Sequence, residues 1–162
     1  MRKKDEDNAG GIEEYFALDK STILQECRVF NETPIRARRC SMILTKLIAL
    51  MLSGQPISSV EATDAFFSVT KLFQSNDNSL RRLVYIAIKE LSRLSENVIM
   101  VTSSLMKDMN SRGEVMYKSN AIRALSKISD ASMMQSVERY YKQAIVDRSG
   151  GVASASLVSA YH

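Results

Sequence analysis

The apolar residues of this chain recur at the spacing of α-helices, and short polar turns separate one helical segment from the next. Leu83, Ile86 and Leu91, for example, lie along one face of a single predicted helix. No run of strict apolar and polar alternation is bounded by turn pairs, so strands are not predicted. The pattern therefore favours an all-α chain.

The turns divide the chain into about eight predicted helices. Three starts carry capping signals. Thr33 is expected to cap the second helix with Pro34 at its first position, Ser58 and Glu61 form a capping box, and Ser79 is expected to cap the fourth helix. The predicted helices cover about 19–30, 34–52, 59–73, 80–91, 97–110, 119–128, 133–146 and the residues after 151.

Eight helices joined by short turns can form a closed bundle or a stack of repeats, and internal similarity separates the two. Segments that begin at Leu80, Tyr117 and Val152 each open a helix after a polar turn. They place small residues at the same point: Ala87, Ala124 and Ser159. The spacing is near the period of HEAT-type hairpins, and small residues let neighbouring hairpins approach closely. We therefore predict an α-solenoid of HEAT/armadillo-like antiparallel helix hairpins, stacked as a right-handed superhelix.

Two domains follow from this organisation. Residues 1–18 are charged and contain two adjacent glycines, so a mobile N-terminal arm is expected there. Residues 19–162 form the helical-repeat trunk. The last predicted helix has no polar cap, which suggests a solenoid cut from a longer one. The longest purely apolar run, 47–52, is far shorter than the roughly 20 residues of a membrane span, and no signal peptide is apparent. A cytosolic protein is expected.

Residues suited to catalysis or metal binding are scarce. The only histidine is His162, no Cys-x-x-Cys occurs, and no glycine-rich phosphate loop is present. Cys27 and Cys40 fall in helical patterns and are expected to be buried, reduced and inert. We predict no enzyme, no cofactor and no metal site.

Basic residues are densest at two helix starts, in 36–39 and at 81–82. They can represent a contact for phosphate or an acidic partner, or a solvated helix face, and the second interpretation is favoured. The chain has no tryptophan, so base stacking on nucleic acid is poorly supported and no nucleic-acid partner is predicted.

The fifth predicted helix has more uncharged surface than one buried stripe requires. Val98, Val101, Leu105 and Met109 form its core stripe. A second, uncharged stripe lies beside it and consists of Ile99, Thr102, Ser103 and Met106. Either this helix is buried on two sides within the stack, or the second stripe contacts a partner protein.

Several literal strings resemble those of the gamma-subunit family of the COPI vesicle coat, coatomer, from about residue 20 to the end of the chain. In order they are FNETP (30–34), EAT (61–63), FF (66–67), TKLFQSND (70–77), IKELS (88–92), VTSSLMKDM (101–109) and AIVD (144–147).

This resemblance implies an adaptin-like trunk, related to the large chains of clathrin adaptors. It implies a cytoplasmic coat protein, peripheral on Golgi membranes and COPI vesicles, in Golgi-to-ER and intra-Golgi transport. The implied partners are an Arf-family GTPase in its GTP state and the coatomer zeta, beta and delta subunits. Through the same resemblance, Ile99 and Thr102 match positions that meet the GTPase, with Ser103 and Met106 on the same face.

Two other functions compete with this one. The first is a generic helical-repeat scaffold whose binding does not depend on an Arf GTPase. The second is an RNA-binding repeat, which would need base-reading side chains recurring in each repeat, and no such recurrence is seen.

Overall fold

The computed structural model describes residues 19–95, 98–111 and 114–161, and within them all regular structure is helical. The predicted arm at 1–18 lies outside the described residues. Short 3-10 turns follow two of the helices, at Cys27–Asn31 and Lys71–Gln74. The helices are α1 Lys20–Glu26, α2 Ala37–Leu52, α3 Ser59–Thr70, α4 Asn78–Leu91, α5 Ile99–Met109, α6 Val115–Ile128, α7 Ala131–Ile145 and α8 Gly150–Tyr161.

The helices form antiparallel hairpins that stack in two layers. Each odd-numbered helix packs on the even-numbered helix that follows it. In the even layer, α2 packs on α4, α4 on α6 and α6 on α8, and in the odd layer α5 packs on α7. Extensive contacts therefore join each hairpin to the next one, as in a solenoid, and the closed bundle is wrong. The handedness of the superhelix stays a prediction.

Small residues between even helices allow this stacking, as predicted, with one exception. Ala87 of α4 and Ala124 of α6 are fully buried, but Ser159 of α8 is only half-buried. The buried small residues of α8 are instead Ala155 and Ser156. The Ser156 hydroxyl donates a hydrogen bond of 3.0 Å to the Tyr141 carbonyl oxygen, which joins α8 to α7.

The predicted capping box at the start of α3 is confirmed. The Ser58 hydroxyl oxygen accepts a hydrogen bond from the Glu61 N–H at 3.2 Å, and the Glu61 carboxylate accepts the Ser58 N–H at 2.9 Å. Hydrogen bonds donated to the Glu61 carboxylate by the Ser58 N–H, the Ser58 hydroxyl and Lys20 hold the pKa of Glu61 below its usual value. Lys20 thereby links the start of α1 to the start of α3.

Two predicted helix starts are wrong. Helix α2 begins at Ala37 and not at Pro34, because the half-buried Ile35 packs against the core and Arg36 has a non-helical backbone. Helix α4 is capped by Asp77 and not by Ser79, since the Asp77 carboxylate accepts the Leu80 N–H at 2.8 Å. The side chain of an aspartate accepts hydrogen bonds from the N–H groups of the first helical turn as well as that of a serine does.

Three later helices begin before their predicted starts, and one of them, α7, begins at Ala131 where about 133 was predicted. Helix α6 starts at Val115, because Met116 and Tyr117 pack against the core where the sequence suggested a polar loop. Helix α8 includes Gly150 in its first turn, since the Ser149 carbonyl oxygen accepts N–H groups from the next turn.

A buried arginine, Arg81, joins neighbouring hairpins. Its side chain is 4% exposed and forms an ion pair with Asp108 at the end of α5. It also donates hydrogen bonds to the Phe73 and Ser75 carbonyl oxygens, at 2.8 and 3.3 Å, where the chain leaves α3. The Tyr85 hydroxyl accepts from Arg81 and donates to Asp108, both at 2.7 Å. The expectation that Arg81 lies on a charged surface is therefore wrong.

Aromatic rings complete the surroundings of this guanidinium. Its central carbon lies 4.4 Å from the centre of the Tyr117 ring of α6 and 5.1 Å from that of Phe73. A cation over ring faces is stabilised by their electrostatic potential, more so where water is excluded. Burial and the neighbouring Asp108 raise the pKa of the Tyr85 phenol far above its usual value. The Tyr85 hydroxyl therefore stays protonated and able to donate.

The next hairpin repeats this arrangement in a more exposed form. Lys118, in the first turns of α6, forms an ion pair of 3.0 Å with Asp147, just after α7. In both cases a cation near the start of an even helix meets an acid at the end of the odd helix of the following hairpin. These pairs hold successive hairpins in register.

The two cysteines are free and buried, as predicted, with 3% and 1% exposure for Cys27 and Cys40. Burial, with a smaller effect of the Glu26 charge, raises the pKa of Cys27 to about 12. Burial also raises the pKa of Cys40.

We expect Arg81→Met to lower the free energy of unfolding by about 3 kcal/mol, because it leaves Asp108 partly buried without its cation. Urea unfolding followed by circular dichroism measures this change. The exposed neighbour provides a control, since Arg82→Met should change the value by less than about 0.5 kcal/mol. Equal effects of the two substitutions would show that Arg81 does not join the hairpins.

We expect neither cysteine to react with the thiol reagent DTNB at pH 8 while the chain is folded. Both thiols are buried and protonated at that pH, and the thiolate is the reactive species. The absorbance of released thionitrobenzoate reports the reaction. Unfolding in guanidinium should expose both cysteines, so that two thiols per chain react. Rapid labelling of the folded chain would contradict this prediction.

Candidate functional site

Helix α5 presents its predicted core stripe to the interior. Val101 and Leu105 are fully buried, Met109 is 8% exposed, and Val98 is half-buried against the core. Val98, the residue that precedes the helix, makes no side-chain capping hydrogen bond. The buried stripe therefore fixes the rotation of α5 about its axis, and that rotation decides which of its other residues face solvent.

The second, uncharged stripe is divided between surface and interior. Ile99 is 68% exposed and Ser103 is also exposed, whereas Thr102 is 6% exposed and Met106 is half-buried against the core. Burial on two sides thus holds for Thr102 and Met106, which are packed inside the stack. Ile99 and Ser103 face solvent, and their contact with a partner protein stays a prediction. Thr102 does not reach the surface of the chain.

Sequence analysis missed Met100, which is 60% exposed beside Ile99. Helical geometry could have found it, because Met100 falls on neither apolar stripe and must then face away from the core. The Ser103 hydroxyl donates to the Met100 carbonyl oxygen at 3.4 Å. Ile99, Met100 and Ser103 together form an exposed, uncharged area that we call the α5 surface.

The α5 surface lies at one edge of the stack. Because successive helices run in opposite directions, this edge also holds the ends of even helices and the starts of odd ones. A contact of 3.3 Å between the Thr63 and Ser95 hydroxyl oxygens joins the start of α3 to the residues after α4. Large exposed apolar residues recur along the edge, namely Leu52, Val60, Leu94, Ile99 and Met100. An apolar area of this kind is typical of a protein interface.

Charged side chains at the end of α4 are engaged with one another. After α4, Arg93 forms an ion pair of 3.2 Å with Glu90, which also meets Lys89 at 3.0 Å. The first charged residue within α5 is Lys107, near its far end. A partner can therefore bury the α5 surface without desolvating an unpaired charge from this helix.

Other kinds of site find little support in the described part of the chain. Across 19–95, 98–111 and 114–161, no three acidic, cysteine or histidine side chains come together in a way that could hold a metal ion. The helices described there also include none that is both long and apolar enough to span a bilayer. Of the basic residues singled out by sequence, Arg36, Arg38, Arg39 and Arg82 are exposed.

Comparison with known proteins identifies the family. The family model for the adaptin N-terminal region matches residues 19–162. Among curated proteins, the chain is 56% identical to a probable coatomer subunit gamma of Caenorhabditis elegans, and 54% identical to coatomer subunit gamma-2 of Danio rerio and gamma-1 of Homo sapiens. Each match covers 160 residues and 99% of this chain, which spans 18% of the length of these relatives. The chain belongs to the adaptin N-terminal region family and is similar over nearly all its residues to coatomer gamma subunits.

Proposed function

We propose that this chain serves as a part of a COPI coat subunit that binds other proteins and performs no chemistry itself. The observation that carries the proposal is its identity of more than half, over 160 residues, with proteins named coatomer subunit gamma. The proposed setting is the cytoplasm, peripheral on Golgi membranes and COPI vesicles, in Golgi-to-ER and intra-Golgi transport. The proposed coat partners are the zeta, beta and delta subunits.

The α5 surface is the proposed contact for an Arf-family GTPase. Its exposed apolar groups, Ile99 and Met100, would bury against the GTPase, with Ser103 at their side. Met106 would support the edge of the contact, and Thr102 would lie beneath it. Support for this assignment comes from the exposure of Ile99 and from the absence of charge between Ile99 and Met106.

Selectivity for the GTP state would arise from the GTPase. Its switch loops are ordered only when the γ-phosphate is bound, and an apolar surface gains affinity only from a partner that presents an ordered apolar face. The chain would then be recruited by the GTP-loaded GTPase, because it would bind that state more tightly than the GDP-loaded state. A scaffold that does not depend on an Arf GTPase would bind both states equally or neither.

We expect Ile99→Asp to weaken binding to the GTP-loaded GTPase by about tenfold or more, because the new carboxylate must lose water in the contact. A pull-down against the GTPase loaded with a GTP analogue or with GDP measures binding. The circular dichroism spectrum should stay helical, since Ile99 is largely exposed.

A matched control is available at the opposite edge of the stack. Val146 follows α7 and is 78% exposed, so Val146→Asp makes the same chemical change away from the α5 surface and should leave GTPase binding unchanged. Equal binding of both nucleotide states by the unaltered chain would contradict the recruitment proposal. Full binding by Ile99→Asp would contradict only the assigned surface.

We expect Thr102→Val to raise the free energy of unfolding by about 1 kcal/mol and to leave GTPase binding unchanged. The Thr102 hydroxyl is buried and has no hydrogen-bond partner among the described residues, so replacing it with a methyl group removes a desolvation cost. Urea unfolding and the same pull-down measure the two effects. A destabilised variant would indicate that the hydroxyl has a partner in the folded chain.

A further inference from the structure

An open groove of about 390 Å³ lies between α2 and α4, in the even layer. Arg38, Met42 and Thr45 line it from α2, and Ser79 lines it from the start of α4. The two helices pack side by side and run in the same direction, and the groove lies between the first half of α2 and the start of α4, where Asp77 also lines it. The α5 surface belongs to the odd layer, and the groove is therefore a separate feature of the molecule.

Beside the groove, the exposed face of α4 continues beyond Ser79. Arg82 and Ile86 follow it by three and seven residues and share its helical face. Met42 and Ile86 are large apolar residues, yet they are 57% and 44% exposed. The groove and the α4 face beside it therefore combine exposed apolar side chains with two arginines, Arg38 in the groove and Arg82 next to it.

Positive charge around this groove is not neutralised by the described chain. Arg36, Arg38 and Arg82 are exposed and form no ion pair with a described residue. The nearby acids already have partners. Glu32 lies 4.0 Å from Arg39, and Asp77 caps α4 by accepting the Leu80 N–H. An acidic ligand would meet unpaired guanidinium groups here, and charge complementarity of this kind favours its association.

We propose that the groove between α2 and α4 binds an acidic polypeptide segment with interspersed large apolar residues. Carboxylates of the segment would pair with Arg38 and Arg82, whose planar guanidinium groups match a carboxylate with two parallel hydrogen bonds. Leucine-like side chains would cover Met42 and Ile86. This interaction is independent of the proposed GTPase contact, because it uses another layer of the stack.

A polypeptide explains these features better than an anionic membrane does. Arg38, Met42 and Thr45 line a groove between two helices, which a flat layer of lipid headgroups does not fill, whereas an extended polypeptide can lie in it. The Asp77 carboxylate at the groove would also repel a multiply charged phosphate more strongly than separate carboxylates placed along a peptide. The exposed Met42 and Ile86, together with the arginines, therefore favour a ligand that has both acidic and large apolar side chains.

Fluorescence anisotropy tests the proposal with a fluorescein-labelled peptide of repeated Glu-Glu-Leu triplets, titrated with the chain at physiological salt. We expect saturable binding, weakened at least about tenfold by the double variant Arg38→Glu, Arg82→Glu. Met42→Gln should also weaken it, and a peptide with alanine at each leucine should bind less tightly. Circular dichroism of each variant checks that the helices are retained.

Arg123→Glu is the matched control, because Arg123 is an exposed arginine of the same layer on α6, away from the groove. It should leave peptide binding unchanged. The proposal fails if Arg123→Glu weakens binding as much as the double variant does, or if the alanine peptide binds equally well. It also fails if the peptide does not bind while phosphatidylserine vesicles capture the chain through Arg38 and Arg82.

Discussion

The guanidinium group of Arg81 is the interaction on which the stacking of the described hairpins most depends. It belongs to α4, yet its partners come from the end of α3, from Asp108 of α5 and from the Tyr117 ring of α6. A charge this deeply buried is tolerable only when every neighbour is in place, because its desolvation would otherwise cost several kcal/mol. The ion pair therefore penalises any displacement of one hairpin against the next.

Such a stack presents two chemically different surfaces. At the start of α5, Ile99 and Met100 project from a helix whose rotation is set by buried Val101 and Leu105. In and beside the groove between α2 and α4, the exposed Arg38 and Arg82 accompany the exposed apolar Met42 and Ile86. Rigid helices hold both surfaces without prior contact with a partner, so binding there costs little ordering entropy. A repeat scaffold that presents several surfaces at once suits the proposed role in a coat, where one chain must meet several proteins.

Of the three capping signals predicted from local sequence, one is confirmed. The Ser58 and Glu61 capping box depends on four consecutive residues and is present as expected. Starts of helices were predicted less well where an interaction distant in sequence decides them: Ile35 packs into the core and delays α2, while Tyr117 packs there and advances α6. In the candidate site, too, local sequence decides some features and contacts with distant residues decide others. Periodicity separated the core stripe of α5 from its second stripe, but only packing by neighbouring helices distinguishes buried Thr102 from exposed Ile99.

Hydrophobic periodicity and the recurrence of small residues determined by themselves that the chain is an all-α stack of hairpins, because each helix must bury one stripe and small residues permit close approach. Literal similarity determined the family. Tertiary structure alone decided that Arg81 is internal while its neighbour Arg82 is exposed. The two are adjacent on one helix and chemically identical, and the difference comes from Asp108 and Tyr117, which the stacking brings to Arg81 from distant parts of the chain.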